Sequence, residues 1–447
     1  MNEIQAYILR FLLGDSVPED VCRAVGYTAD EQAFHTFRLV ILPSGFFGED
    51  VYGTARSMPT LPLPMLKGGA GEAVDGDLPI LFGRPEITRR GHTIILHADV
   101  IAGAYFLLSR YEEWMRPDVR DIHGRFPGSE SIAHRAGFLR RPLVDDYGRL
   151  LRRLLREVGC VAPEPHAAFS QINLTHDVDA PFFCRTLRSM ARELLRGHLI
   201  DAFRGHFGRL EDDPYYTFPW MLQQDDRMRT IFGADHCRPI FFFRAGGNDV
   251  EDRPHYDLHG RDIGRLLQLC RDYDVEIGMH ASHEAGRRPE LIAREKVTLE
   301  NAIDRPVTLN RHHFLGLREP QHMEALEDAG ITDDYTMGYA DQVGFRLGTA
   351  RPVRCIYPAT RHLSRRLTLH PLTVMECTLS AERYMHLDER EAFRIIIELA
   401  EETRRAHGSL TILWHNTSAT PRAGYLKNLY SRTLVLLADS AYESLRR

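Results

Sequence analysis

Cysteine is sparse and unpatterned in this sequence: seven are scattered over 447 residues, and no Cys-x-x-Cys occurs. That argues against a thiolate zinc site or a disulfide framework and points to a reducing compartment. Long apolar runs are missing as well; no window reaches the ~18 apolar residues of a membrane span. The first stretch, MNEIQAYILRFLLGDS, has an early acid, a brief apolar run and no small-residue cleavage site, so it does not read as a signal peptide. A basic excess is absent too. With a net charge of -6 and arginines interspersed with acids, the chain carries no electrostatic footprint for nucleic acid. The expectation is a cytoplasmic protein with neither a nucleic-acid partner nor a membrane span.

What is present is an ordinary globular composition, 43% hydrophobic and 26% charged, in a chain long enough for two or three domains. Residues 1–165 read as a smaller α/β unit. Helical periodicity appears near 19–25, strand-like runs at 37–43, 78–83 and 92–98, a helix over 99–114 and another over 142–158. Arg110, Glu112, Glu113, Asp121, His123 and Arg125 cluster around a Gly/Pro-punctuated loop, a pattern that favours an ion-pair network or domain interface over a ligand site. Val161-Ala162-Pro163-Glu164-Pro165 reads as the linker, because proline pairs break both helix and strand.

From 166 to 447 strand-like and helix-like runs alternate. Strands are expected at 172–177, 239–247, 275–280, 306–313, 371–379 and 409–415. Helices are expected at 186–196, 262–273, 289–303, 320–329, 388–406 and 424–442, with a looped insert around Trp220. Such alternation implies parallel strands joined by right-handed crossovers, and seven or eight such units can close into a barrel. The polar residues fall at C-terminal strand ends: Asp177 and Asp179, Arg244, His280, Arg311 and His313, and His415. That is the edge where α/β barrels keep their active sites. Asp177 and Asp179 are two apart on one strand and point the same way, so one could hold a metal while the other works as a base. His176 points the opposite way and is expected to pack beneath the strand.

The Thr-x-Asp-x-Asp strand at 175–179, the His-bearing and Arg-bearing strand ends and the late Leu-x-His at 413–415 resemble the NodB-type polysaccharide deacetylases, carbohydrate esterase family four. SRYEEW, HGRFPGSES, THDVDAP, IGMHAS, NRHHFL, DYTMGYAD and GFRLGT resemble, over nearly the whole chain, the subgroup found with bacterial surface-polysaccharide genes. The resemblance implies a distorted (β/α) barrel of seven or eight strands over 166–447, preceded by the smaller α/β unit of unknown role. It implies removal of an acetyl group, N-acetyl first, from a sugar or polysaccharide precursor. The ion would be divalent, zinc first, with cobalt, manganese or nickel as alternatives.

By the same resemblance Asp177 is the general base, Asp179 a metal ligand and His415 the general acid. Arg311 orients the base, with Arg346 a second candidate for that role. The family's His-Ser/Thr-x-x-His spacing departs here, because Glu284 stands four residues after His280. The remaining ligands rank His280, His313, His283 and then Glu284. Tyr335, Tyr339 and Trp414 would offer faces to a sugar ring, or equally belong to the core. Two other readings stay open: a catalytically silent glycan-binding or scaffold module, and a small-molecule amidohydrolase.

Overall fold

Runs that are apolar on both faces, such as Phe241-Phe242-Phe243, suit strands covered from both sides by helices. In the computed structural model they form the centre of a nine-stranded sheet. The structure describes residues 1–68, 76–185, 187–195, 197, 199–317 and 321–445.

The first unit places β1 (Val25–Tyr27), β2 (Leu39–Ile41), β5 (Gly83–Arg90) and β6 (Thr93–Ala98) in a four-stranded sheet of order β1-β2-β6-β5. β3 (Met65–Leu66) and β4 (Leu78–Pro79) make a separate ribbon. Helices Glu3–Leu13, Val100–Leu108 and Leu143–Glu157 share one buried apolar cluster with the sheet, which joins Ile8, Ile101 and Leu150 to Leu39, Ile94 and Leu96. The N-terminal helix, absent from the sequence reading, begins on a capping box in which Asn2 and Gln5 bond each other's backbone N–H. The helix expected over 99–114 is broken, because Arg110 takes a left-handed φ of 55° before a new turn starts at Tyr111.

The second unit contributes β7 (Gln171–Val178), β8 (Cys237–Phe243), β9 (Glu276–Ala281), β10 (Leu309–His312), β11 (Asp333–Met337), β12 (Val353–Tyr357), β13 (His362–Pro371), β14 (Val374–Met375) and β15 (Ser409–Leu413). Their order is β12-β13-β11-β10-β9-β8-β7-β15-β14, and every pairing is parallel except β12 with β13. The fold is therefore mixed α/β around a large parallel sheet. Parallel direction brings the C-terminal ends of β7, β8, β9, β10 and β15 to one edge. Between β13 and β14 the chain bonds both flanks: Leu372 N–H donates to Met337 O at 3.0 Å and Thr373 N–H to Thr411 O at 3.1 Å.

Three expectations need correction here. The run 371–379 is not one strand; it gives the two-residue β14 and then a helical turn, Glu376–Ser380, whose Glu376 is fully buried. The insert around Trp220 is a fifteen-residue helix, Phe218–Phe232, with Pro219 in its first turn. The stretch 330–370, where no regular element is expected, holds β11 and the β12–β13 hairpin. The helices expected over 186–196 and 320–329 are observed as Leu187–Leu195 and Gln321–Asp328; residues 186, 196 and 320 lie outside the described ones.

One apolar core runs through both units, from Ile8 and Leu12 to Phe243 and Met279. Polar contacts cross the same boundary. Glu113 takes Arg346 as a bidentate partner at 2.8 and 2.6 Å, and Asp145 accepts from Thr349, from the Ala350 N–H and from Arg351. Glu113 and Arg346 are both buried. Removing one partner of such a pair strands the other charge in the interior. Glu113→Ala is therefore expected to lower stability by about 3–5 kcal/mol in urea unfolding, and Glu113→Leu/Arg346→Met by much less. Equal losses in the two variants would contradict this account of the boundary.

Candidate metal and acid–base site

Asp177 is the last inward carboxylate of β7, and Arg311 on β10 reaches it across the sheet edge. The guanidinium Nη1 donates to Asp177 Oδ1 at 3.0 Å and to Thr175 Oγ1 at 2.8 Å, while Nε donates to Tyr335 O at 3.0 Å. Arg311 is fully buried, and its charge lies over the Phe242 ring at 4.6 Å. Asp177 Oδ1 is thereby engaged, and Oδ2 is left facing His280 Nε2 at 3.7 Å.

Asp179, two residues on, is the centre of the cluster. Its Oδ1 lies 3.1 Å from His280 Nε2 and 3.6 Å from His313 Nε2, and its Oδ2 lies 3.5 Å from His415 Nε2. Burial alone would raise its pKa; His313, His280 and His415 outweigh that and hold it well below the ordinary carboxylate value. Its backbone is pinned too. Arg244 Nη2 donates to Asp179 O at 3.2 Å, and the Tyr256 hydroxyl donates to Val178 O at 2.9 Å.

Each imidazole is oriented through its other nitrogen. His280 Nδ1 faces Arg311 O at 2.8 Å and donates to it, which turns Nε2 to Asp179; burial opposes charge on the ring, but Asp177 and Asp179 prevail and raise its pKa. His313 Nδ1 faces Asp252 Oδ1 at 3.0 Å, which frees Nε2. Burial, opposed by Asp179 and Asp252, keeps the His313 pKa below its usual value, so a neutral ring is presented. Asp252 also accepts the N–H groups of His283 and Glu284, at 2.7 and 3.1 Å. Gly247 makes room for it: at φ +90° a Cβ there would lie 2.3 Å from Asp252 Oδ2. His415 Nδ1 faces Glu376 Oε1 at 2.7 Å, and the same oxygen accepts the His415 N–H at 2.8 Å and the Ser418 hydroxyl at 2.7 Å. Burial opposes charge on His415, but Glu376, Cys377 and Asp179 prevail and raise its pKa well above the usual value.

Asp179, His280 and His313 present one oxygen and two nitrogens within 4.8 Å of one another, and a divalent ion fits that donor set. Asp179 Oδ1 and His280 Nε2 fit the same view, because both atoms are buried and neither has a hydrogen-bond partner outside the cluster. A carboxylate–histidine–metal relay of this kind is a common support for such ligands.

Other expected site residues lie elsewhere. His283 is outside the group; its Nδ1 faces Arg287 at 3.2 Å and Asp249 at 3.5 Å. Glu284 turns to the Asn248 N–H and to Arg288. Arg346 is engaged by Glu113 and Gly338 O, so the contact with Asp177 belongs to Arg311. The three aromatics are core: Tyr335 stacks on His370, Trp414 packs on Tyr430, and Tyr339 lies beneath Arg346, each buried. His176 is buried between Trp414 O and Asp225.

The sequence reading missed Asp252, Glu376 and Tyr256; the N-terminal unit enters through Arg125, one of the cluster expected to form an ion-pair network or domain interface. Arg125 donates to Phe314 O at 2.8 Å and to the Tyr384 hydroxyl at 3.1 Å, which fastens the turn after His313, where Phe314 and Leu315 both take left-handed φ values of 58° and 53°. Glu376 had a signal, an acid inside a strand-like apolar run; Asp252 in a polar loop had none.

Comparison with known proteins adds little to this geometry. Residues 54–159 match the model of a family described as "Family of unknown function (DUF7033)". No curated protein sequence matches the chain. A crystal structure of a "putative polysaccharide deacetylase from Mycobacterium smegmatis" is similar at 13% identity and a TM-score of 0.39, covering 63% of this chain and 93% of that one. That likeness is too slight to carry an activity.

Two measurements check the site. Asp252→Asn should weaken zinc binding by about 10–100-fold in competition with a chromogenic chelator, without loss of the fold; unchanged affinity would contradict the relay. Glu295, buried and accepting from the Ser282 N–H and hydroxyl beyond His280, has its pKa pushed up to about 7 by burial. A raised carboxyl favours the folded state below pH 4.5 and loses that contribution as pH rises through 7. Wild-type stability should therefore fall between pH 5 and 8 by up to about 3 kcal/mol more than that of Glu295→Gln. Parallel pH profiles would contradict this.

Proposed function

We propose that the protein is a metal-dependent hydrolase that removes an acetyl group, N-acetyl first, from a sugar or polysaccharide precursor. The observation that carries the reading is the convergence on Asp179 of three imidazoles from three strand ends, His280, His313 and His415, beside a second carboxylate held by arginine. The motif resemblance supplies the acetylated sugar as substrate class. The sheet is read as a distorted barrel, supported by the bonds from Leu372 to Met337 and from Thr373 to Thr411 that link its flanks. The division into 1–165 and 166–447 and a cytoplasmic location belong to the same reading; the seven cysteines, none of them in a disulfide, suit a reducing compartment.

Asp179, His280 and His313 would hold the ion, zinc first. When bound, such an ion supplies a Lewis acid that polarises an acyl carbonyl and acidifies water. The chain's own groups do the rest. Asp177, its Oδ1 fixed by Arg311, takes a proton from the attacking water on Oδ2. The water oxygen bonds to the acyl carbon, and the carbon–nitrogen bond breaks. His415, its Nδ1–H directed to Glu376, gives a proton from Nε2 to the departing amine. Acetate and a free amino sugar result. The buried setting of Asp177 and Arg311 keeps competing water from the pair.

Acetate release from a panel of N-acetylated and O-acetylated saccharides tests this. The zinc-loaded wild type should release acetate, and Asp177→Asn should lower kcat by about 100-fold or more while still binding zinc. Equal rates in the two would contradict the proposal, and no release from either would favour a silent glycan-binding module.

A further inference from the structure

Burial drives large apolar side chains inward, and one helical hairpin of this protein does the reverse. It consists of Leu187–Leu195 and Leu199–Phe207 and follows β7, the strand that carries Asp177. In its second helix Ala202 and Gly205 face the protein, whereas Leu199, Ile200, Phe203 and Phe207 are each more than half exposed. Leu195, at the end of the first helix, is exposed as well. At 100° per residue the four outward positions of the second helix fall on a single arc opposite Ala202 and Gly205. The inward face is the packed one: a Cβ on Gly205 would lie 2.7 Å from that of Cys184. The outward face is an apolar ridge, with the Phe203 and Phe207 rings stacked at 6.0 Å.

The charge of the same stretch departs from the rest of the chain. Residues 187–207, the hairpin itself, hold four arginines against Glu193 and Asp201, a net of +2 (4 − 2), in a protein whose total is -6. Contiguous exposed apolar side chains mark an interaction surface. Leucine, isoleucine and phenylalanine on a short helix among arginines match what a bilayer interface accepts: apolar groups at the acyl boundary, and guanidinium groups on headgroup phosphates.

We propose that this hairpin docks the protein on the surface of an anionic lipid bilayer. The attachment is peripheral; among the described residues no helix is long and apolar enough to cross a membrane. The hairpin also adjoins the candidate site. Phe183 and Gly205 line a cavity of about 430 Å³ together with Thr417 and Thr420, which follow His415. Docking therefore brings the strand-end edge near the headgroups. If the hydrolase reading holds, the substrate class is a saccharide carried on a lipid. Docking itself does not depend on that reading.

The test uses the full chain and sedimentation with vesicles, one set of phosphatidylcholine alone and one of phosphatidylcholine and phosphatidylglycerol in equal parts. The wild type should pellet with the anionic vesicles, more weakly as salt rises, and little with the neutral ones. Phe203→Ser/Phe207→Ser should weaken anionic binding tenfold or more while acetate release from a soluble substrate stays unchanged. Both positions are exposed, so the fold should survive; if this variant does not fold, Leu199→Gln/Ile200→Gln takes its place with the same expectation. Phe203→Trp should show a blue-shifted emission on adding anionic vesicles. Absence of wild-type binding, or equal binding by wild type and variant, would overturn the proposal. So would light scattering that shows a wild-type dimer and a variant monomer without vesicle binding, because the ridge would then join two copies of the chain.

Discussion

The structure depends on one unusual concentration of charge: a single carboxylate, Asp179, faced by three imidazole nitrogens at 3.1 to 3.6 Å. Three rings converge on one carboxylate in this way only if each is held in orientation. Here the hold comes from the opposite ends of the rings. Arg311 O takes His280, Asp252 takes His313 and Glu376 takes His415. Every ring therefore turns its Nε2 toward the same small volume. The parallel sheet makes this possible, since strands running in one direction deliver their last residues to one edge.

The supports come from separate parts of the chain. Asp252 rises from the loop after β8 and ties the backbone after β9 to the ring after β10. Glu376 comes from the turn after β14 and holds both the backbone and the ring of His415. The N-terminal unit adds Arg125, which grips the strained turn that follows His313. The small unit is thus part of what fixes the site, and its own core is continuous with that of the large one.

Much of this was legible in the sequence, and what was not failed for physical reasons. The alternation of apolar runs with helical periodicity gave β7, β8, β9, β10 and β15, because both signals are local; β11 and β13, interrupted by Asp333, Asp334, Arg365 and Arg366, were not legible. The strand-end residues Asp177, Asp179, His280, Arg311, His313 and His415 were legible for the same reason: a polar residue closing an apolar run stands out. Partner choice was not legible. Arg311 and Arg346 look alike in sequence, and only folding shows that Glu113 takes the second. His283 and His313 likewise differ only in which way the chain turns after the strand. Tyr335, Tyr339 and Trp414 illustrate the converse, since an aromatic near a strand end is as readily core as surface. The run 371–379 misled because its apolar composition masked a buried acid at a strand-to-helix turn.

The central claim is that Asp179, His280 and His313 close on one divalent ion. X-ray anomalous scattering at the zinc edge, from crystals grown with zinc, tests it most directly. The account predicts one strong peak within about 2.0–2.2 Å of Asp179 Oδ1, His280 Nε2 and His313 Nε2. A peak elsewhere, or none at these three atoms while zinc is present, would contradict it.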